Sequence, residues 1–404
     1  MKITDIEIIP IAPRLAKRYA HRTVDLYGID ARVVYKVHTD NGLIGYGDVR
    51  GRPNADFPRS SVEPLIGRDP FDFLHNNLGA ALGGALYDVM GKYLEVPAYK
   101  LMGQKVRDAV SVAAWTRPAS PQDFRSEITR AAAQGYTIFK MHSCSYHDVI
   151  EQTRLAAEAA PPGFKIHWDF NGNRTLGAVL PLVKELEKNH PVVGYIEDPL
   201  RKSDFDSWRR LREQSNLPII MHGGPLGGAQ EMLSGVADTY MIGGNIGETL
   251  TTGFMFSKVN IRTLIQITGG TLTKALALHM AAVLPSCTGH NIDLDDQYEE
   301  DITKARIPVV EGYSPVPQEP GLGYEVDEEA LARLAAQKIA ERPRYVGVLH
   351  MPGGHTFYGP SYVSPEGEEG TIRGFTSELW EDDGSKEFEE VYERTRREGK
   401  FLAS

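Results

Sequence analysis

Cysteine is almost missing from this chain: two residues in 404, Cys144 and Cys287, form neither a C-x-x-C pair nor a disulfide framework. That scarcity fits a reducing compartment. A basic excess is missing too. Forty-four Lys and Arg stand against 54 Asp and Glu, for a formal net charge of −10, and no basic cluster is placed to follow a phosphate backbone, so nucleic acid is excluded as a partner. No apolar run is long enough to span a bilayer. The opening Met-Lys-Ile-Thr-Asp-Ile-Glu-Ile-Ile-Pro alternates like a strand and lacks the apolar core of a signal peptide, which predicts a cytoplasmic protein without membrane contact. Internal repeats and low-complexity tracts are absent. What remains, 41% hydrophobic and 24% charged residues, is the composition of a soluble globular protein with room for one large domain and a smaller one. Cys144 lies two residues beyond His142, and a buried, inert thiol is expected there.

The first hundred residues read as a meander followed by helices. A strand is expected at 2–9. Residues 32–38 run into Asp40-Asn41-Gly42, a hairpin signal because Asn-Gly tolerates positive φ, and 43–48 return as the partner strand. Helical periodicity follows over 61–103, with Leu82, Leu86, Met90 and Leu94 spaced by four. From Asp108 the texture becomes strand, helix, strand, helix, with strands at 110–115, 239–242 and 263–267 and helices at 121–134, 229–236, 249–258 and 274–284. At least seven such units fit between about 110 and 290, compact for a (β/α)8 barrel of ~250 residues. The tail from about 342, rich in Gly, Pro, His and aromatics, is too aromatic for a disordered linker and is expected to pack on the N-terminal domain or on a neighbouring subunit.

Between Tyr136 and Gly224 four apolar segments each end in residues suited to metal or proton chemistry: Lys140-Met-His142, Trp168-Asp169-Phe-Asn171, Ile196-Glu197-Asp198-Pro and Met221-His222-Gly. In a barrel of parallel strands all C-terminal ends open on one face, so these groups are expected to converge despite their separation in sequence.

Several stretches carry a resemblance. They are Val33 to Gly47, Ala85 to Gly103, Trp168-Asp-Phe-Asn-Gly172, Ile196-Glu-Asp-Pro199 and Pro320-Gly-Leu-Gly323. In this order they resemble the enolase superfamily, in particular its mandelate racemase and muconate lactonising branch, over roughly residues 1–330. The resemblance implies an α/β fold: a modified (β/α)7β TIM-type barrel (109–315) under an N-terminal α+β capping domain (1–108), with residues 316–404 completing the cap and adding a tail. It also implies removal of a proton α to a carboxylate, with a divalent cation, usually magnesium, stabilising the enediolate. The α-proton is so weakly acidic that the developing charge must meet positive charge already in place, and hard oxygen ligands suit magnesium. By the same resemblance Asp169 and Glu197 are metal ligands, a small-molecule carboxylate is the substrate and the protein is a homo-oligomer.

Two positions depart from the family pattern. Where the fifth barrel strand usually ends in Gly-Glu, this chain has His222-Gly223; His222 is a candidate third metal ligand, with substrate contact or a water ligand as alternatives. Imidazole suits zinc, iron or nickel better than magnesium. Where the second strand usually carries Lys-x-Lys, this chain has Lys140-Met-His142. The two side chains share a face, and His142, with an ordinary pKa near 6.5, becomes the leading base with Lys140 as its electrostatic partner; a hydrogen-bonded inner-barrel histidine is the alternative. The His-Asp pair or Lys that other branch members place on the opposite face has no counterpart near Gly243 or Thr268, and Asp238 is read as structural. Candidate substrate contacts are Asn171, Gln266 and, in the loop from Arg14 to Asp30, His21 and Tyr27. Dehydration of an acid sugar or related hydroxy acid is the leading reading. A racemase, epimerase or cycloisomerase, and a non-catalytic small-molecule-binding descendant, are the alternatives.

Overall fold

The computed structural model describes residues 1–404 apart from 20–27, 52–57, 225–226, 293, 340, 342 and 404. Strands β1 (Ile3–Ile11), β2 (Arg32–Thr39) and β3 (Ile44–Arg50) form an antiparallel sheet, with the Asn41-Gly42 turn joining the last two. Helix α1 (Ala80–Tyr93) lies on this sheet. Its approach is permitted by glycine: a Cβ on Gly45 or Gly47 would stand 2.1 Å from the carbonyl oxygens of Ala85 and Ala81 respectively. Leu82, Leu86 and Met90 are buried, as their spacing predicts, while Leu94 is exposed past the helix end. The rest of the expected helical region, 61–103, is largely 3-10 turns, because Pro64, Pro70 and Pro97 each remove a backbone donor.

The barrel follows. Strand β4 (Ala109–Thr116), helix α2 (Pro121–Ala133), β5 (Ile138–His142), α3 (Val149–Ala159), β6 (Lys165–Asp169), α4 (Leu176–Asn189), β7 (Val193–Glu197), α5 (Phe205–Gln214), β8 (Ile219–His222), α6 (Ala229–Ser234), β9 (Thr239–Ile242), α7 (Ile246–Lys258), β10 (Arg262–Ile265), α8 (Thr271–Val283) and β11 (Asn291–Ile292) alternate without exception. Neighbouring strands pair in parallel from β10 round to β4 and on to β11, and a bridge between Gln266 and Ile292 closes the ring. The α/β barrel with seven helices is therefore as expected. Strand β10 stops at Ile265 rather than 267, since Gln266 pairs only through that bridge and Gly269-Gly270 follow. Side chains set the helix starts: Ser120, Asp148 and Asp204 accept from the free backbone N–H groups of α2, α3 and α5.

Strand β12 (Tyr313–Pro315) joins the other edge of β4, and α9 (Glu328–Ala336) returns to the cap, where Ala12 N donates to Leu334 O and Glu328 accepts from Lys36 and Tyr46. Cap and barrel are joined by a buried charge knot. The Arg32 guanidinium donates to Asp48 at 2.5 and 2.9 Å and to Asp301 at 2.8 Å. The same two carboxylates accept from the N–H groups of Gly270, Thr271 and Thr273 at the start of α8, where the helix dipole favours negative charge.

The tail is an ordered unit. Strands β13 (Tyr345–His350), β14 (Thr356–Gly359), β15 (Thr376–Glu381) and β16 (Phe401–Leu402) form a sheet in the order β15-β13-β14-β16, backed by α10 (Lys386–Glu398). The expected contact of the tail was the cap or a neighbouring subunit; within the chain, the contacts described run to the barrel. Its ion pairs reach the barrel, Glu369 to Arg174 and Arg373 to Glu185 and Asp148, and Tyr362 stacks on Tyr146 at 4.2 Å. Acidic Glu368 and Glu369 meet Thr175 and Arg174 of the barrel.

His279, fully buried in α8 against the Leu322 carbonyl, has its pKa pushed down to about 4 by burial. The unfolded chain binds that proton near pH 6.5, so stability is complete above 6.5 and falls as the pH drops toward 4. Between pH 7 and pH 5 this one group should remove about 2 kcal/mol. Urea denaturation of wild type and His279→Gln at both pH values should show a smaller loss in the variant; an equal loss would assign the acid sensitivity elsewhere.

Candidate active site

Strands β5, β6 and β7 run in register, His142 opposite Asp169 and Asp169 opposite Glu197, so their last residues form one row across the C-terminal face of the barrel. Lys140, two pairs deeper on the same face and fully buried, points into that row. Its Nζ donates to Glu197 Oε1 and to the Gln266 side-chain oxygen, each at 2.9 Å, and forms ion pairs with Glu197 Oε2 at 2.8 Å and Asp169 Oδ2 at 3.1 Å. Burial opposes its charge, yet the Glu197 and Asp169 carboxylates raise its pKa. Burial likewise opposes ionisation of Glu197, but Lys140 and hydrogen bonds from His167 and His222 hold that carboxyl well below its usual range. The row is thus a carboxylate pair around one ammonium, with Lys140 committed to the protonated state.

His142 is held on both sides. The Trp115 indole N–H donates to His142 Nε2 at 2.9 Å, and Nδ1 lies 3.0 Å from Asn171 Oδ1 and 3.2 Å from Asp169 Oδ2. An indole can only donate, so Nε2 carries the lone pair and Nδ1 the proton. Burial lowers the His142 pKa, keeping the ring neutral. Asn171, at φ +54°, anchors this arrangement by donating its backbone N–H to Asp169 and its side-chain amide to the Ser143 carbonyl.

His222 stands at the end of β8, partly exposed, with Nδ1 3.3 Å from Glu197 Oε1. With Glu197 and Asp198 it offers three ligand atoms lying within 4.8 Å of one another. This donor set, two hard carboxylates and one imidazole, fits a divalent cation. Asp169 meets Glu197 across Lys140 rather than within that trio. Burial, then the Glu197 charge, pushes the Asp198 pKa up to about 6, while Lys202 at 3.1 Å opposes the shift.

Of the expected site residues, Lys140, His142, Asp169, Asn171, Glu197, His222 and Gln266 come together. His21 and Tyr27 lie outside the described residues. Asp238 is structural, its carboxylate bound to Arg212 and to the Ile219 N–H. Sequence reasoning missed four neighbours. His167 Nε2 lies 2.7 Å from Glu197, and its Nδ1 is 2.9 Å from buried His290; as His167 precedes Asp169 by two, strand periodicity could have found it. Asp198 follows a strand end, where only its backbone, at φ +42°, re-aims the side chain. Trp115 and His290 gave no local signal. At the end of β9, a Cβ on Gly243 would fall 2.1 Å from the Gln266 carbonyl, so the opposite face has no room there for a side chain. A small cavity of about 160 Å³ opens beside His222, Tyr240 and Glu248. A larger one, about 920 Å³, lies between the tail and the start of α2, away from the carboxylate row.

Residues 123–330 match the family described as Enolase C-terminal domain-like. The D-galactonate dehydratase of Ralstonia nicotianae is 25% identical over 345 residues, covering 72% of this chain and 88% of that protein. That of Pectobacterium atrosepticum is 25% identical over 346 residues, covering 73% and 88%. A dipeptide epimerase from Cytophaga hutchinsonii, solved with Mg and a dipeptide, shares the fold at TM-score 0.69 and 17% identity, over 83% of this chain and 98% of its own.

Removing Lys140 leaves two buried carboxylates facing each other. Lys140→Met should therefore lose about 3–5 kcal/mol of stability in chelator-treated protein, because breaking a buried pair leaves charge uncompensated. Chemical denaturation checks this; a loss under about 1 kcal/mol would mean that the ammonium is not their counter-ion.

Proposed function

Because the chain belongs to the Enolase C-terminal domain-like family, we propose that it is an enzyme that removes a proton α to a carboxylate with the help of a divalent cation, and that the reaction dehydrates an acid sugar or related hydroxy acid. The observation that carries this reading is the strand-end row in which Asp169, Glu197 and Lys140 lie beside a neutral, oriented His142. The dehydratase relatives support the substrate class.

Glu197 and Asp169, with His222 or Asp198, would hold the cation, magnesium if the carboxylates dominate its shell. When bound it would supply positive charge for the negative charge that develops on the substrate carboxylate. Lys140, fixed as an ammonium, adds a second positive charge and orients Gln266. His142 receives the proton at Nε2, exchanging the Trp115 hydrogen bond for an N–H bond, and Asp169 beside Nδ1 stabilises the resulting imidazolium. The same Nε2 then returns the proton to a β-hydroxyl leaving on the same side. The C–O bond breaks, water departs, and the enol product tautomerises to a 2-keto acid. A racemase or epimerase needs a second proton donor across the substrate, and a side chain at Gly243 would collide with the Gln266 carbonyl, so none can be supplied from that position.

Elemental analysis of protein purified without chelators should find one divalent cation per chain, lost in Asp169→Asn/Glu197→Gln with the fold kept; unchanged stoichiometry would sink the ligand assignment. Across a panel of acid sugars in D₂O, wild type should form a keto acid. His142→Asn should slow that by about 10²- to 10⁴-fold, and an unchanged rate would remove His142 as the base.

A further inference from the structure

The tail lies outside the matched span of 123–330, yet it reaches the loops that carry the site. Glu369, between β14 and β15, places Oε2 2.8 Å from Arg174 and 3.4 Å from the Ser143 hydroxyl, and accepts from the Asn173 amide at 3.0 Å; its backbone carbonyl accepts from Arg174 Nε at 2.9 Å. Arg174 is buried, and it donates on to the Ser143 hydroxyl at 3.2 Å and the Phe170 carbonyl at 3.4 Å. Ser143 follows His142 directly. Its N–H donates to the Asp169 carbonyl at 2.9 Å, and its carbonyl accepts from the Asn171 amide, whose oxygen faces His142 Nδ1. A continuous set of hydrogen bonds therefore runs from a tail carboxylate to the proton-bearing nitrogen of the candidate base.

We propose that Glu369 is a positioning residue of the active site: through Arg174 and Ser143 it fixes Asn171, and thereby the ring orientation and tautomer of His142. The tail is then part of the catalytic apparatus rather than an addition to the surface. The chemistry assigned to His142 rests on the function proposed above, but the positioning does not require it. A second tie between tail and barrel provides the control. Arg373 pairs with Glu185 at 3.4 Å and Asp148 at 3.8 Å, away from the Ser143–Asn171 bonds, so a purely structural tail would respond alike to loss of either tie.

The test uses the full chain labelled with ¹⁵N-histidine, the His142 signals being assigned by their loss in His142→Asn. Wild type should show His142 protonated at Nδ1 alone. Glu369→Ala should shift those signals toward a mixture of tautomers, and Arg373→Ala should leave them in place. Because Glu369→Ala strands a buried guanidinium, Glu369→Leu/Arg174→Met, which replaces the pair with apolar groups, keeps the test open if the single variant unfolds, and should move the signals in the same direction. Once a substrate is turned over, Glu369→Ala should lower kcat by about tenfold or more with KM little changed, as expected for a misplaced base. His142 signals unmoved in folded Glu369 variants, or moved equally by Arg373→Ala, would overturn the proposal. If no substrate is turned over while the signals respond as stated, the proposed reaction fails and the positioning role stands.

Discussion

A single ammonium holds the site together. Lys140 is buried where an unpaired charge would be intolerable, and it persists because Glu197 and Asp169 surround it. The dependence is mutual, since Lys140, with hydrogen bonds from His167 and His222, holds the Glu197 carboxyl well below its usual range against the burial that opposes its charge. The pairing draws together the ends of three successive strands, and the geometry of His142, Asn171 and His222 is referenced to those same two carboxylates.

The barrel was legible because its signal is repetitive. Strand-ending polar residues recur along the chain, and parallel pairing turns that recurrence into one face. Lys140 and His142 could be placed together from a spacing of two alone. Asp198 escaped because its orientation depends on one left-handed backbone residue, and His290 because its partner His167 is brought near only by closure of the ring. The barrel contacts of the tail were not legible for a different reason. Its aromatic content marks a packed segment but not its partner, and the pairs that decide the matter, Glu369 with Arg174 and Tyr362 with Tyr146, join residues almost two hundred or more positions apart.

Trp115 shows how far the proposed base, His142, can be governed by a residue that performs no chemistry. The indole occupies the one lone pair that His142 has to offer, so basicity is withheld until a competitor takes the indole's place. Asn171, on the other side, holds the ring in the tautomer that points the Nε2 lone pair at the indole.

The Arg32 knot has a bearing on how the cap is held. Were the cap to swing away from the barrel like a lid, the buried Arg32–Asp301 pair would be pulled apart, and the first turn of α8 would lose the Asp48 carboxylate that accepts from Gly270 and Thr273. This seam is therefore a clasp and not a hinge: parting it would break up a guanidinium and two carboxylates that now neutralise one another, which ties the position of the cap to the first turn of a barrel helix.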